Sequence, residues 1–151
     1  MEKLVIQSTK ENMARVEDLI YDICINNHVL NYYGVISVAV SQAVENAIVH
    51  GNNSDGDKKV VMRCGNCRGG MFFEIKDEGV GFDFNAFGDL PLEGERGDGI
   101  FMMKTLADKI EYSENGSRVR LEFLINGIEK ADYLERCAKI NKFFMPALIN
   151  A

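Results

Sequence analysis

The sequence predicts one α+β domain, and three observations carry that expectation. Two stretches repeat apolar residues at helical spacing: Met13, Val16, Ile20 and Ile23 in the first, Ile36, Val40, Ala43 and Ala47 in the second. Later in the chain Val119, Leu121, Phe123 and Ile125 alternate with Arg118, Arg120 and Glu122, the period of a strand with one buried and one wet face. Asn115-Gly116, just ahead of that strand, is a strong hairpin signal. A chain of 151 residues can bury roughly two-thirds of its unfolded surface.

Taken in order, Leu4–Gln7 reads as a short edge strand, and Ser8 with Glu11 forms an S-x-x-E pattern that predicts a helix start. Asn26 and Asn27 loosen the end of that helix, and the chain restarts near Gly34. The second helix is expected over Ile36–His50. Gln42 and Asn46, four apart, share a face beside its apolar stripe, with His50 one turn further on and Glu45 turned away from Asn46. Gly51–Asp57 is a loop by composition. Lys58–Arg63 and Met71–Lys76 read as strands joined by the Gly-rich connection CGNCRGG. Phe84–Gly94 has no period and suits a mobile loop. A helical pattern of Ile100, Met103, Ala107 and Ile110 follows, then the hairpin from Ile110 to Ile125. Ile128–Phe144 is expected to be a last helix, closed by Pro146.

Composition excludes several classes. A net charge of −6 argues against a general nucleic-acid binder, which needs clustered Lys and Arg. There is no run of about 18 apolar residues to span a membrane. The segment MEKLVIQSTKEN is not a signal peptide by pattern, so reduced cysteines and a cytoplasmic setting are expected. Cys64-Gly-Asn-Cys67 has the spacing of half a zinc site, but neither Cys24 nor Cys137 belongs to a second knuckle, and a reduced hairpin is favoured.

Three pieces carry chemistry. In MFFEIKDEGVGFD an apolar strand ends at Asp77, and Gly79 and Gly81 then let a flat ligand lie close to the backbone beside an acceptor carboxylate. In ERGDG, Gly97 and Gly99 open a helix whose free N–H groups and dipole suit phosphate, with Arg96 adding a cation. The third piece is the Gln42/Asn46 edge. Other nucleotide motifs fail: the stretch Gly99 to Thr105 lacks the glycine before lysine of a P-loop, and Gly79-Val-Gly81 lacks the third glycine and following helix of a Rossmann turn.

SQAVENAIVHGN, DEGVGFD and ERGDGIFMMKTLAD, in this order and spacing, resemble the three ATP-site boxes of the GHKL superfamily, and within it the stand-alone bacterial anti-sigma factor serine/threonine kinases. The resemblance runs from about Leu4 to Ile125 and implies a two-layer Bergerat sandwich, with helices on one face of a mixed sheet. It divides the chain into an ATP-binding domain over 1–127 and a C-terminal helical extension over 128–151, packed on the domain or at an interface. It implies ATP and Mg2+ as cofactors. Asn46 would hold the metal, Asp77 would accept from the adenine amino group, and Gly79 and Gly81 would shape the purine pocket. Arg96, Gly97 and Gly99 would meet the phosphates, and Ile100 would help close the pocket. Protein partners are implied too: a sigma factor or similar regulator, an antagonist protein, and a second copy in a homodimer. One position departs. Gln42 stands where the kinases carry the glutamate that acts as general base, and an amide takes no proton from an attacking hydroxyl. Two readings therefore remain: an ATP-binding, anti-sigma-factor-like regulator with kinase activity, or a catalytically impaired binding module whose partner contacts depend on ATP or ignore it. A histidine-kinase reading is weak, because His28 and His50 have no dimerising helical hairpin around them.

Overall fold

A computed structural model describes residues 1–82, 95–125, 135–136 and 138–140. The element order is β1 (Glu2–Gln7), α1 (Met13–Asn26), α2 (Tyr33–Asn46), β2 (Lys59–Cys67), β3 (Gly70–Lys76), α3 (Glu95–Leu106), β4 (Lys109–Ser113) and β5 (Arg118–Leu124). The strands form one five-stranded sheet in the order β1-β2-β3-β5-β4. The expected loop over Phe84–Gly94 lies outside the described residues, as does the expected C-terminal helix except for 135–136 and 138–140, which are helical.

All four pairings are antiparallel, which corrects the expectation of a mixed sheet. The reason lies in the connections. A strand followed by one helix returns parallel to itself, but β1 is followed by two helices, so β2 returns antiparallel beside it. β3 and β4 do run in the same direction across α3, yet β5 is inserted between them and pairs antiparallel with both.

One face of the sheet is the core. Leu4, Met62, Ile75, Val119 and Tyr112 lie in register across the five strands, and Cys64, Phe73, Leu121 and Ile110 form the next row. Phe73 meets Phe123 edge to face at 5.9 Å. The helices cover this face with the residues that the periodicity selects: Val16, Ile20 and Ile23 of α1, then Ile36, Val40 and Ala43 of α2, are all buried. The other face is polar with alternating sign, since Arg63, Glu74, Arg120 and Glu111 stand in one row. Arg118 pairs with Glu74 at 2.6 Å, and the Arg120 guanidinium lies 4.0 Å from the centre of the Phe72 ring.

Several local expectations are corrected. Ser8 caps no helix; it is fully buried and donates to the Lys58 carbonyl at 2.8 Å, tying the end of β1 to the entry of β2. The first helix starts instead at Met13, after a single 3-10 turn over Lys10–Asn12. Strand β2 runs through CGNC, so the hairpin connection shrinks to Arg68 and Gly69, with Gly69 at φ 80°. Residues three apart on a strand face opposite ways. Cys64 is accordingly in the core, where burial pushes its thiol pKa up to about 11, and Cys67 faces the other side, which breaks the half-site reading. Ile110 belongs to β4 and not to the third helix, which ends at Leu106.

The C-terminal residues described here return to the domain. Arg136 donates to the Leu106 carbonyl at 3.0 Å and to Asp108 Oδ1 at 2.6 Å, so it satisfies an orphan carbonyl at the end of α3. Asp108 Oδ2 accepts from Leu124 N at 2.7 Å, and Ile140 is buried in the core. Arg136→Ala leaves both acceptors short of a donor and is expected to cost about 1–3 kcal/mol. Denaturant unfolding measures it; an unchanged midpoint would mean that this contact contributes nothing to the fold.

Candidate functional site

The site is assembled at the end of the sheet where β3 leaves it. Helix α2 is α-helical to Asn46, and the next five residues, Ala47–Gly51, form a π-helical turn closed by Asn52 N donating to the Ala47 carbonyl at 2.8 Å. Such turns are rare and recur at functional sites. Here it widens the last turn and delivers Gly51 against the carboxylate of Asp77: a Cβ built on Gly51 would overlap both carboxylate oxygens. Gly79 is constrained by the same meeting, because a Cβ there would overlap the Gly51 carbonyl.

The Asp77–Phe82 turn is pinned at three points. Asp77 N donates to the Ser117 carbonyl at 2.9 Å, Glu78 N to Asn52 Oδ1 at 2.8 Å, and Phe82 N to the Asn115 carbonyl at 2.8 Å. Gly81 has φ 86° and passes so close to the Asn115 carbonyl that any side chain would collide with it. Asp77 itself is 8% exposed, and its Oδ1 accepts from Gly79 N at 2.8 Å. Its carboxylate is thus held by the backbone of its own turn.

Asn46 and Asp77 line one small cavity with Ala43, Ala47, Ile75, Met103 and Val119 as its apolar walls and Phe82, Tyr112, Gly116 and Ser117 around them. Its volume is about 20 Å3, room for about one water. Phe82 and Tyr112 meet edge to face at 5.4 Å on its wall. Met103 is a buried core residue that also lines the cavity, whereas Ile100, equally buried, is not among the lining residues.

The third box reaches the same place through α3, which packs against α2. A Cβ on Gly99 would stand 2.9 Å from Gln42 Oε1 and 3.3 Å from Asn46 Nδ2, so glycine lets the helix lie against the polar edge of α2. Helix α3 starts at Glu95, two residues earlier than the sequence suggests. Gly97 and Gly99 are the third and fifth residues of the helix as described. The expected cation at Arg96 rests on a side chain outside the described residues. Among the described residues no group of three His, Cys, Asp or Glu could hold a metal.

Sequence reasoning assigned no role to Gly51, Asn52 or Ser117, although the first two close the box SQAVENAIVHGN. Gly51 and Asn52 sat in what composition marked as a loop, and Ser117 was read only as a strand residue.

With this geometry in view, the comparisons are consistent. Residues 7–123 match the family described as histidine kinase-like ATPase domain, and the chain belongs to that family, within the GHKL superfamily. It is 34% identical over 93 residues to the anti-sigma F factor of Clostridium perfringens strain SM101, covering 57% of this chain and 66% of the relative. The anti-sigma F factor of C. perfringens strain 13 matches with the same identity and coverage. The chain thus spans just under two thirds of the length of these relatives. Among solved structures, the histidine kinase domain of the blue-light activated histidine kinase from Erythrobacter litoralis EL346 superposes with a TM-score of 0.51 at 15% identity, over 85% of this chain and 64% of that one. That likeness concerns the fold alone. Membership in the family implies a nucleotide site, and no helix among the described residues is long and apolar enough to cross a membrane.

The two glycines separate in kind. Gly79→Ala meets backbone that cannot yield and is expected to cost about 1–3 kcal/mol or more, while Gly99→Ala meets the flexible end of Gln42 and should leave the fold nearly as stable. Thermal unfolding of both variants checks this, and equal losses would contradict it.

Proposed function

We propose that this chain is an ATP-binding regulatory protein of the anti-sigma factor kind, which holds a protein partner and uses nucleotide to govern that hold. The observation that carries the reading is the convergence of Asn46 and Asp77, from two distant segments, on one cavity with apolar walls. The chemistry of these residues fits the group. Asp77 is an acceptor fixed in a buried turn, suited to an exocyclic amino group; the apolar walls suit the faces of a purine. A purine exceeds about one water in volume, so its entry requires the lining of the cavity to open.

Magnesium keeps several waters and takes few protein ligands beside substrate phosphates, so the Asn46 amide oxygen would serve as a protein ligand to it. The bound ion would neutralise phosphate charge. Gly97, near the described start of α3, would offer its backbone N–H to the phosphates, and Gly99 keeps that helix close to Asn46. The partner, a sigma factor or an antagonist protein, is suggested by the names of the relatives. A homodimer, and a C-terminal extension over 128–151 that packs on the domain, belong to the same proposal.

A second reading is favoured by Gln42. Its amide oxygen sits beside Gly99, next to Asn46, at the position where the resemblance expects a general base. Gln42 can orient a hydroxyl by hydrogen bonding but cannot take its proton near neutral pH. Glu45 is on the same helix, but its azimuth is turned from Asn46. On this reading the protein binds ATP and transfers phosphate slowly or not at all.

Asp77→Asn replaces the acceptor with an amide and should weaken Mg-ATP binding by about 1–3 kcal/mol, read by titration calorimetry; unchanged affinity would remove Asp77 from the site. Gln42→Glu should raise serine phosphorylation or hydrolysis by about 10²–10⁴ with little change in ATP affinity. Brisk transfer by the unmutated protein, unaffected by that substitution, would place the base elsewhere.

A further inference from the structure

Asn52 is the one fully buried amide side chain whose bonds reach three separate segments of the described chain. Its Nδ2 donates to Ser8 Oγ at 2.8 Å and to the Lys59 carbonyl at 3.0 Å, and its Oδ1 accepts from Glu78 N at 2.8 Å. Its own N–H closes the π turn on Ala47, and its carbonyl accepts from Asp55 N at 3.0 Å. The partners fix which way the amide points, because the Lys59 carbonyl can only accept and the Glu78 N–H can only donate. Ser8 is held in turn by donating to the Lys58 carbonyl.

The geometry points to Asn52 as a positioning residue for base selection, an inference that rests on the nucleotide reading of the cavity. Asp77 can choose an amino-bearing purine edge over a carbonyl-bearing one only if its carboxylate is held at a fixed place and angle. The peptide after Asp77 carries the Glu78 N–H, and Asn52 Oδ1 is the hydrogen-bond acceptor for it. On the other side Asp77 N is held by the Ser117 carbonyl. Asn52 also ends the π turn that presses Gly51 against the Asp77 carboxylate. The Asn52 side chain therefore sets the backbone that carries the acid, while its own backbone N–H closes the turn against which the acid rests. A site built around a fixed acceptor rejects a ligand that presents another acceptor there, because two lone pairs then face each other without a proton between them. If the acceptor is loosened, both ligands are tolerated more equally.

The test compares the full-length protein with two variants, using ATP and GTP as probes in magnesium buffer at a temperature where circular dichroism shows all three folded. Asn52→Asp keeps an acceptor for Glu78 N while giving up the donors to Ser8 and Lys59. Its added charge weakens both nucleotides together, so the ATP-to-GTP affinity ratio is the readout and should stay within about threefold of the unmutated value. Asn52→Leu keeps the bulk but removes the acceptor, and its ratio should fall by about tenfold. A role confined to stability would lower the melting temperature of both variants and leave both ratios alone; that result, or equal loss of the ratio in both, overturns the proposal. Should Asn52→Leu not fold, amide exchange on the unmutated protein decides: exchange at Glu78 N should slow on adding ATP and not on adding GTP, and an equal response to both overturns it. An unmutated protein that binds neither ATP nor GTP would bring down the nucleotide reading itself, whereas one that binds both without preference overturns base selection alone. That failure shows in the first measurement, before any variant is compared.

Discussion

The structure depends on a place where two backbones touch. The end of the π turn at Gly51 and the turn after β3 at Gly79 approach so closely that neither position has room for a Cβ, and the Asp77 carboxylate fills what space is left. Such an approach sacrifices the packing that side chains would provide and leaves polar backbone groups facing each other. It persists because those groups are paired: Glu78 N with Asn52, Asp77 N with Ser117, Gly79 N with the Asp77 carboxylate itself. Move Gly51 outward and the acid loses its backing; widen the Gly79 turn and it loses its donor.

The sheet topology explains why this meeting happens at an edge of the core and not inside it. Two helices between β1 and β2 return the chain antiparallel, so β2 and β3 form a plain hairpin and β3 occupies the middle of the sheet. Its exit is then flanked by α2 on the helical side and by the β4–β5 turn at the same level, where Asn115, Gly116 and Ser117 sit. Glu114, Asn115 and Gly116 all have positive φ, which folds that turn tightly enough to bring two carbonyls to the Asp77–Phe82 segment. The site needs both neighbours, and it exists only once the non-local strand pairs have formed.

That dependence also divides what the sequence displayed from what it concealed. The buried faces of α1 and α2 follow from spacing within a few residues, and the β5 alternation likewise, so both were legible. The three boxes were legible as motifs, and the structure brings Gln42, Asn46, Asp77 and Gly99 to one end of the fold. The misread elements share one cause. Ser8 followed by Glu11 has a local helix-capping pattern, but Ser8 bonds 50 residues away, to Lys58. CGNCRGG looks like a loop by its glycines, yet the pairing of Cys64 with Phe73 and of Cys67 with Gly70 keeps it in the ladder. Asn52 closes the first box, but nothing local gave its role, since its partners lie 44, 26 and 7 residues away. Composition marks an asparagine in a Gly-Asn-Asn-Ser run as solvated, and only tertiary pairing makes it a buried junction.

The same geometry separates binding from chemistry. The groups that would recognise a base, Asp77 and its turn, are anchored to β3, to Asn52 and to the β4–β5 turn. The groups that would act on phosphate, Asn46, Gln42 and the start of α3, lie on two helices whose contact is set by one glycine. On the proposed reading, a glutamine where the resemblance expects a glutamate alters only the second set: it preserves size and hydrogen-bonding capacity beside Gly99 and removes proton acceptance. Arg136 holds the C-terminal end of α3 through the Leu106 carbonyl and Asp108. Ile100 and Phe101, just after Gly99, are buried in the core, so on the proposed reading a nucleotide would meet two helices already held in place, whether or not phosphate is transferred.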